Sequence, residues 1–503
     1  MRRAVGMVLL LGCGATNPAP ICPVQTRSFG SERSAVSPAT VAEPAFAVTF
    51  VPTLQSVGVR VRAAARHGLE RWASVAHVQP DGVTAKDADG PISGGWKGGV
   101  FELSRAPKGF VEIAYALPTK KEGDVVASPS GYVRFYGEPL LVPVDLANEK
   151  THVAIDFDFS KTPFESAASS FGIGKHVEAD VAPVELSKGA WLAGDVYSAR
   201  FHAFEGNDDF AWVGYAAFDP RWISAEIATL RTTVSQFFGD GHPPPFTMLL
   251  TIDKRGPIES TPVSIYPRWR GAFAIADVDA PWGIGARMAT ALALVSRFVG
   301  GRITGTVPAV SGLARYAARE ILLASGTMTP LEYADEVNGE IAATLFADKN
   351  PRAAEVAHVA LDANRIGNKT MRARLHDWAV AGHALTDADI TFPAGPLADD
   401  AFGKCFARGP MKFAELDLGF DEEKTRATKT VVGVHGAAKA AGLREGEPLV
   451  SIRYDEGQAE HPVRVVVSRD GKNFEVKYRP IGRTKTAQGF HVVPGVDPSS
   501  CAR

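Results

Sequence analysis

Apolar residues change their spacing along these 503 residues, and that change of period constrains the fold more than any single motif does. Over 45–159 they alternate: Val57, Val59 and Val61 stand against Gly58 and Arg60, and Val153, Ile155, Phe157 and Phe159 against polar or small neighbours. A period of two puts successive side chains on opposite faces of a strand, so this stretch predicts half-buried antiparallel strands. Gly and Pro clusters at Pro91-Ile92-Ser93-Gly94-Gly95 and Ser128-Pro129-Ser130-Gly131 cut it into short pieces, which reads as an all-β sandwich over 45–185. Over 186–260, strand-like Phe210-Ala211-Trp212-Val213 and Phe246-Thr247-Met248-Leu249-Leu250 flank a helical stretch at 224–238, an α+β pattern. Helical spacing then dominates 283–390.

Within that helical part, 286–299 is apolar on nearly every face and should lie in the middle of its domain. A second helix is expected from near Ser311 through Tyr316, Ile321 and Leu322, ending at Ser325-Gly326, where Gly supplies the usual exit. A third should begin at Thr329-Pro330-Leu331-Glu332, which has capping-box spacing with Pro at the first helical position. The last unit, 401–490, runs from a strand-like Thr430-Val431-Val432-Gly433-Val434 through the Ala-rich 436–443 to strands at 463–467 and 474–478, joined around Asp470-Gly471, a strong hairpin signal. A chain of 503 residues at roughly 150 per domain predicts about three folded units, in agreement with these divisions.

Charge and cysteine usage narrow the function classes. Lys+Arg of 54 against Asp+Glu of 56 gives a net charge of −2, which removes the electrostatic basis for a nucleic-acid partner. Four cysteines with no C-x-x-C pair exclude a disulfide-dense scaffold and give no sign of a structural zinc or redox motif. Cys405 and Cys501 bracket the last unit and could close a loop around it, worth as much as ~4–5 kcal/mol in the chain-entropy model, although spacing alone does not establish the pairing.

The chain opens as an export leader does. Basic Met1-Arg2-Arg3 and the short apolar run over 4–11 are too short to cross a bilayer. Leu10-Leu11-Gly12-Cys13 resembles a bacterial lipobox, in which the Cys is lipidated and becomes the mature N-terminus. That resemblance implies a signal peptide at 1–13, a lipid at Cys13 and a bacterial cell-envelope location, at the periplasmic face or the outer membrane. Residues 14–44, rich in Pro, Ser, Ala and Thr without periodicity, read as a disordered tether in which Cys22 is left unpaired. The lipid would be the chain's only membrane contact, because the next most apolar run, 288–295, is flanked by Arg287, Ser296 and Arg297 and reads as a buried helix.

Catalytic patterns are scarce. The twelve His include no H-x-x-x-H pair and no H-E-x-x-H, and no G-x-S-x-G elbow is present. His376 and His383 stand seven apart with Asp377 nearby, and His358 has Asp362 one turn on. Those spacings place groups on one helix face, although hydrogen-bonded or surface histidine is the plainer reading. Phe171-Gly172-Ile173-Gly174-Lys175-His176 lacks the spacing and hydroxyl residue of a phosphate loop and reads as a connection between elements.

Taken together, Phe298-Val299-Gly300-Gly301-Arg302-Ile303, Ser311-Gly312-Leu313-Ala314-Arg315-Tyr316 and Ser325-Gly326-Thr327-Met328-Thr329-Pro330-Leu331-Glu332-Tyr333 resemble the glycyl-aminopeptidase family of thermolysin-like metallopeptidases with a C-terminal PDZ domain. The resemblance implies a multidomain α+β fold: an N-terminal β-sandwich, a thermolysin-like α+β/helical domain over 186–400 and a PDZ-like β domain. The family's helix carries H-E-x-x-H for zinc and water, and a Glu on the next helix completes the ligand set. Aligned on that pattern, Leu292 takes the first His, Ala293 the Glu, Ser296 the second His and Ser311 the later Glu. None can serve: hydrocarbon has no donor atom, and a neutral hydroxyl is a poor zinc ligand. The resemblance therefore implies a catalytically inactive relative with no metal and no cofactor, acting as a peptide- or protein-binding lipoprotein. The competing reading is an active aminopeptidase with non-standard ligands among His358, Asp362, His376 and His383. Leu418-Gly419-Phe420 fits the PDZ loop that receives a peptide C-terminus, with Asp417 where that pattern prefers Gly.

Overall fold

The structure, a computed structural model, describes residues 45–501 apart from 121–123, 129–130, 204–205, 242, 254–261, 349, 392–404, 455–457 and 498–500. The expected leader, the lipidation site Cys13 and the tether 14–44 lie outside the described residues. No helix among those described is long and apolar enough to cross a membrane.

The alternating stretch forms sheets of seven, five and four strands. Phe46–Pro52 shows why: its residues are by turns buried and part-buried along the whole strand, so one face can be apolar throughout. The seven-stranded and five-stranded sheets share a core in which Phe135 stacks on Trp191 at 5.4 Å between ring centroids and Phe50 meets Phe135 edge-on at 4.8 Å. Rings of this size each contribute roughly 1.5–3 kcal/mol on burial. One pairing departs from the antiparallel expectation, since Phe46–Pro52 runs parallel to Thr151–Phe157 with Phe46 opposite Val153. The five-stranded sheet also continues past residue 185, because Ala190–Gly194 is paired on both sides.

A second five-stranded sheet follows. Its strands are β1 (Tyr197–Ala203), β2 (Gly206–Val213), β3 (Phe246–Asp253), β4 (Val263–Arg268) and β5 (Gly271–Asp277), in the order β1-β2-β3-β5-β4. The three inner strands are parallel, and β4 is an antiparallel edge. Helix α1 (Pro220–Phe238) connects β2 to β3. It starts one turn earlier than the periodicity suggests, because Asp219 caps it by accepting from the Arg221 N–H at 2.9 Å, with Pro220 at the first position.

This sheet and the N-terminal sheets share a small apolar cluster that includes Tyr132, Tyr136, Leu249 and Phe273. At its edge, Ser128 Oγ and the Tyr132 hydroxyl donate to one oxygen of Asp253, at 2.5 and 3.2 Å. Burial, reinforced by the Asp253 charge, pushes the Tyr132 hydroxyl up to about 12. An unfolded tyrosine ionises near pH 10, so the stability carried by neutral Tyr132 is complete below that pH and is lost as pH rises through about 12. Between pH 10 and 12 the wild type is expected to lose on the order of 2 kcal/mol more than Tyr132→Phe does. Denaturant titrations at the two pH values measure this, and parallel losses would remove the role given to Tyr132.

The helical part contains α2 (Ile284–Val295), α3 (Val307–Ala324), α4 (Pro330–Leu345), α5 (Pro351–Ala363) and α6 (Asn368–Ala381). The capping box at α4 forms, with Thr329 Oγ1 accepting from the Glu332 N–H at 3.2 Å and Glu332 accepting from the Thr329 N–H at 2.8 Å. Helix α3 lies close on α5 because Gly312 has no side chain; a Cβ there would stand 2.5 Å from Val359 Cβ and 2.7 Å from the Val356 carbonyl oxygen.

The last unit is built in two parts. A long antiparallel ladder of β6 (Phe406–Leu416) and β10 (Ile481–Val492) packs on α4, where Asn338 exchanges two hydrogen bonds of 2.9 Å with the Phe490 backbone. Between its strands lie α7 (Glu422–Thr428), α8 (Gly436–Ala440) and a three-stranded sheet of β7 (Leu449–Arg453), β8 (Val463–Arg469) and β9 (Lys472–Tyr478), with a core of their own. Cys405 and Cys501 form a disulfide, with Cα atoms 5.5 Å apart, that closes the base of the ladder. Both half-cystines belong to the core of the helical part.

Candidate functional site

The four positions aligned on the zinc motif are distributed over α2 and α3. Ala286, Met288, Ala291, Ala293 and Val295 of α2 are buried, as is Thr290, and Arg287 pairs with Glu226 at 3.1 Å. The helix stops at Val295, four residues short of the expected 299. Ser296 ends it: its N–H donates to the Leu292 carbonyl at 2.9 Å and its hydroxyl to the Ala293 carbonyl at 2.7 Å. The chain then folds back so that Phe298 stacks face to face on Phe238, 4.3 Å between centroids. Tertiary stacking thus overrides the apolar run.

These residues do not fit a zinc ion. Ser296 Oγ is engaged at the helix end, the Thr290 hydroxyl donates to the Ala286 carbonyl at 2.8 Å, and Leu292 and Ala293 offer carbon. Ala293 and Ser296 line the cavity described next, whereas Leu292 and Ser311 do not. Among the described residues, no three His, Cys, Asp or Glu side chains gather closely enough to hold a metal. Three of the four alternative ligands have separate partners: Asp362 bonds Arg365 at 2.6 Å, His376 Nδ1 meets Asp377 at 3.2 Å, and His383 Nε2 meets Asp389 at 3.1 Å.

The cavity measures about 190 Å³ and lies between α1, the β4–β5 turn and the end of α2. Arg231, Arg268, Arg270 and Arg297 line it, together with apolar Val234, Phe246, Leu294 and Phe298. Three of the guanidiniums are held from behind: Arg231 by Asp208, Arg268 by Glu138 at 3.1 Å, and Arg297 by Asp240 at 3.2 Å. Arg268 also lies over the Tyr136 ring at 4.0 Å, and Arg270 over Trp269 at 4.3 Å. Burial holds the Arg297 guanidinium below its ordinary range, and repulsion from Arg302, Arg231 and Arg270 adds to this against the pull of Asp240. Sequence reasoning did not find this cluster, because its members come from three separate segments.

A second charged group, also missed, joins α3 to α4. Arg319 and Glu340 are ion-paired with side chains 0% and 2% exposed. Arg315 reaches Glu340 at 3.0 Å and Glu336 at 2.7 Å, and Tyr333 donates to Glu320. Burial, helped by the Glu320 charge, pushes the Tyr333 hydroxyl well up. Burial disfavours the charge on Arg319, but Glu340, Tyr333 and Glu320 together offset it and the group is held above its usual range. The signal was available: Arg315 and Arg319, and Glu336 and Glu340, are each one turn apart on apolar helices.

The loop expected to receive a peptide terminus is closed on itself. Leu418 and Phe420 are buried in the unit's core. Gly419 has φ +74° and donates its N–H to Asp417 Oδ1 at 3.0 Å, and a Cβ on it would stand 2.6 Å from Ala438 Cβ. His435 Nε2 lies 3.2 Å from the same oxygen of Asp417. Directly after Phe420 the chain enters α7, capped by Asp421, rather than a strand to which a peptide could add. At Leu418, Gly419 and Phe420, the positions expected to receive a peptide C-terminus, the Asp417 carboxylate accepts the Gly419 N–H.

Comparison with solved structures places the chain by fold. It is similar to an aminopeptidase N family protein from Idiomarina loihiensis, with 13% identity, 89% of this chain and 98% of that chain covered, and a TM-score of 0.59. An M1 zinc metallopeptidase from Deinococcus radiodurans matches at 14% identity over 68% of this chain and 88% of its own, with a TM-score of 0.44. Leukotriene A4 hydrolase from Saccharomyces cerevisiae matches at 10% identity over 68% and 62%, with a TM-score of 0.42. No family model and no curated protein matches the chain. The class defined is thus a mixed α+β multidomain fold of the aminopeptidase N type.

Proposed function

We propose that this chain is a non-hydrolytic relative of PDZ-tailed zinc aminopeptidases, exported and anchored through a lipid on Cys13 in the bacterial cell envelope, where it binds a peptide or protein segment. The observation that carries this reading is the chemistry of the end of α2, where the Ser296 hydroxyl closes the helix at the Ala293 carbonyl. A water molecule there would keep a pKa near the bulk value of about 15.7 instead of the ~7 that zinc confers, and among the described residues no carboxylate lines the cavity to take its proton. Hydrocarbon at Leu292 and Ala293 also suits a metal-free core, since an unpaired buried charge would cost several kcal/mol. The sandwich and PDZ-like assignments, and the glycyl-aminopeptidase subfamily, belong to the same proposal. The PDZ-like assignment is supported by the Gly442-Leu443 turn after α8 and by the sheet of β7, β8 and β9.

Metal analysis of the purified full-length chain, with an aminopeptidase assay, tests the reading. No stoichiometric zinc and no chelator-sensitive hydrolysis are expected. One zinc per chain with chelator-sensitive cleavage of aminoacyl substrates would overturn the proposal in favour of an active enzyme with other ligands. Labelling with a radioactive fatty acid, abolished in Cys13→Ser, checks the anchor; equal labelling of both chains would remove it.

A further inference from the structure

The cavity at the end of α2 presents four guanidiniums and, among the described residues, no lining carboxylate. Three carboxylates behind it, Asp208, Glu138 and Asp240, offset three of those charges and hold the side chains in place. One positive charge is left over, and Arg270, exposed on the β4–β5 turn, is the residue without such a carboxylate behind it among the described residues. Arg268 Nε is buried and makes no hydrogen bond among the described residues. A protonated amino end would meet like charge here and find no counter-charge, whereas an oxyanion would meet planar donors suited to bidentate contact. The apolar walls, Val234, Phe246, Leu294 and Phe298, suit a hydrocarbon group beside that oxyanion. A volume of about 190 Å³ is below the roughly 300–1,000 Å³ of a whole small-molecule site and suits the end of a chain.

We infer that this cavity takes the C-terminal carboxylate of a peptide whose last side chain is apolar. The inference rests on the non-hydrolytic peptide-binding reading above and moves the terminus-reading site from Leu418-Gly419-Phe420 to the arginines. Isothermal titration of the full-length chain with N-acetyl-Ala-Ala-Phe as free acid and as carboxamide tests it. The acid is expected to bind about tenfold or more tighter than the amide, the size of a charge-assisted contact. That preference should vanish in Arg270→Gln, which breaks no ion pair with Asp208, Glu138 or Asp240, and in Arg297→Gln, with circular dichroism unchanged. Equal binding of acid and amide, an unaltered preference in both variants, or no binding of either peptide would overturn the inference. Tighter binding of Ala-Ala-Phe-amide with a free amino end would also overturn it, as would binding of inorganic phosphate but not of the acid peptide. Peptide binding that ignores the carboxylate leaves the non-hydrolytic reading standing, whereas zinc-dependent cleavage removes that reading whatever the cavity binds.

Discussion

Glu340→Gln is expected to destabilise the helical part by about 3–5 kcal/mol, the cost of leaving a buried charge without its partner. Arg319 would be that charge: its side chain is 0% exposed, its Nε and Nη2 atoms have no hydrogen bond among the described residues, and Glu320 stands only at 4.0 Å from its Nε. Arg315 would be less affected, because it retains Glu336 at 2.7 Å. The double replacement Arg319→Met with Glu340→Leu should recover most of the loss, since an apolar pair of similar volume carries no desolvation cost. Urea unfolding of the three variants, followed by tryptophan fluorescence and hydrogen exchange of α3 and α4, measures the effect. A Glu340→Gln protein as stable as wild type would mean that the pair contributes nothing. The pair joins α3 to α4.

Loss of the Cys405–Cys501 bond, by Cys→Ala replacement at both positions, is expected to lower stability by as much as ~4–5 kcal/mol in the chain-entropy model. The two residues lie 96 apart, and freeing so long a loop in the unfolded chain is costly for folding. The loss should concentrate in the β6–β10 ladder, which carries the C-terminal unit on α4. Hydrogen exchange of the ladder in the oxidised and reduced protein reads it directly, and equal protection in the two states would show that packing alone holds the unit. An oxidising compartment, the one proposed from the leader, is where such a bond persists.

Some of this could be read from the chain. Thr329-Pro330-Leu331-Glu332 announced α4 because a capping box is satisfied within four residues. The alternation around Val57 and Val153 announced strands, but it could not say that Phe46–Pro52 would pair in parallel with Thr151–Phe157, since a strand's own pattern does not name its neighbour. The run over 286–299 announced a buried helix and hid its end, which depends on Phe298 finding Phe238, 60 residues earlier in the chain. Leu418-Gly419-Phe420 showed a sharp turn; that Asp417 would close it on the Gly419 N–H is a matter of side-chain direction.

What the sequence determined by itself is therefore local and subtractive: which segments are strand or helix, and that α2 lacks the donors a zinc ion needs, because donor chemistry is a property of each residue alone. What only the tertiary structure decided is convergence. Arg231, Arg268, Arg270 and Arg297 become one basic cavity, and Arg319 meets Glu340, because helix and sheet packing brings distant segments within the few ångströms over which charges act strongly on one another.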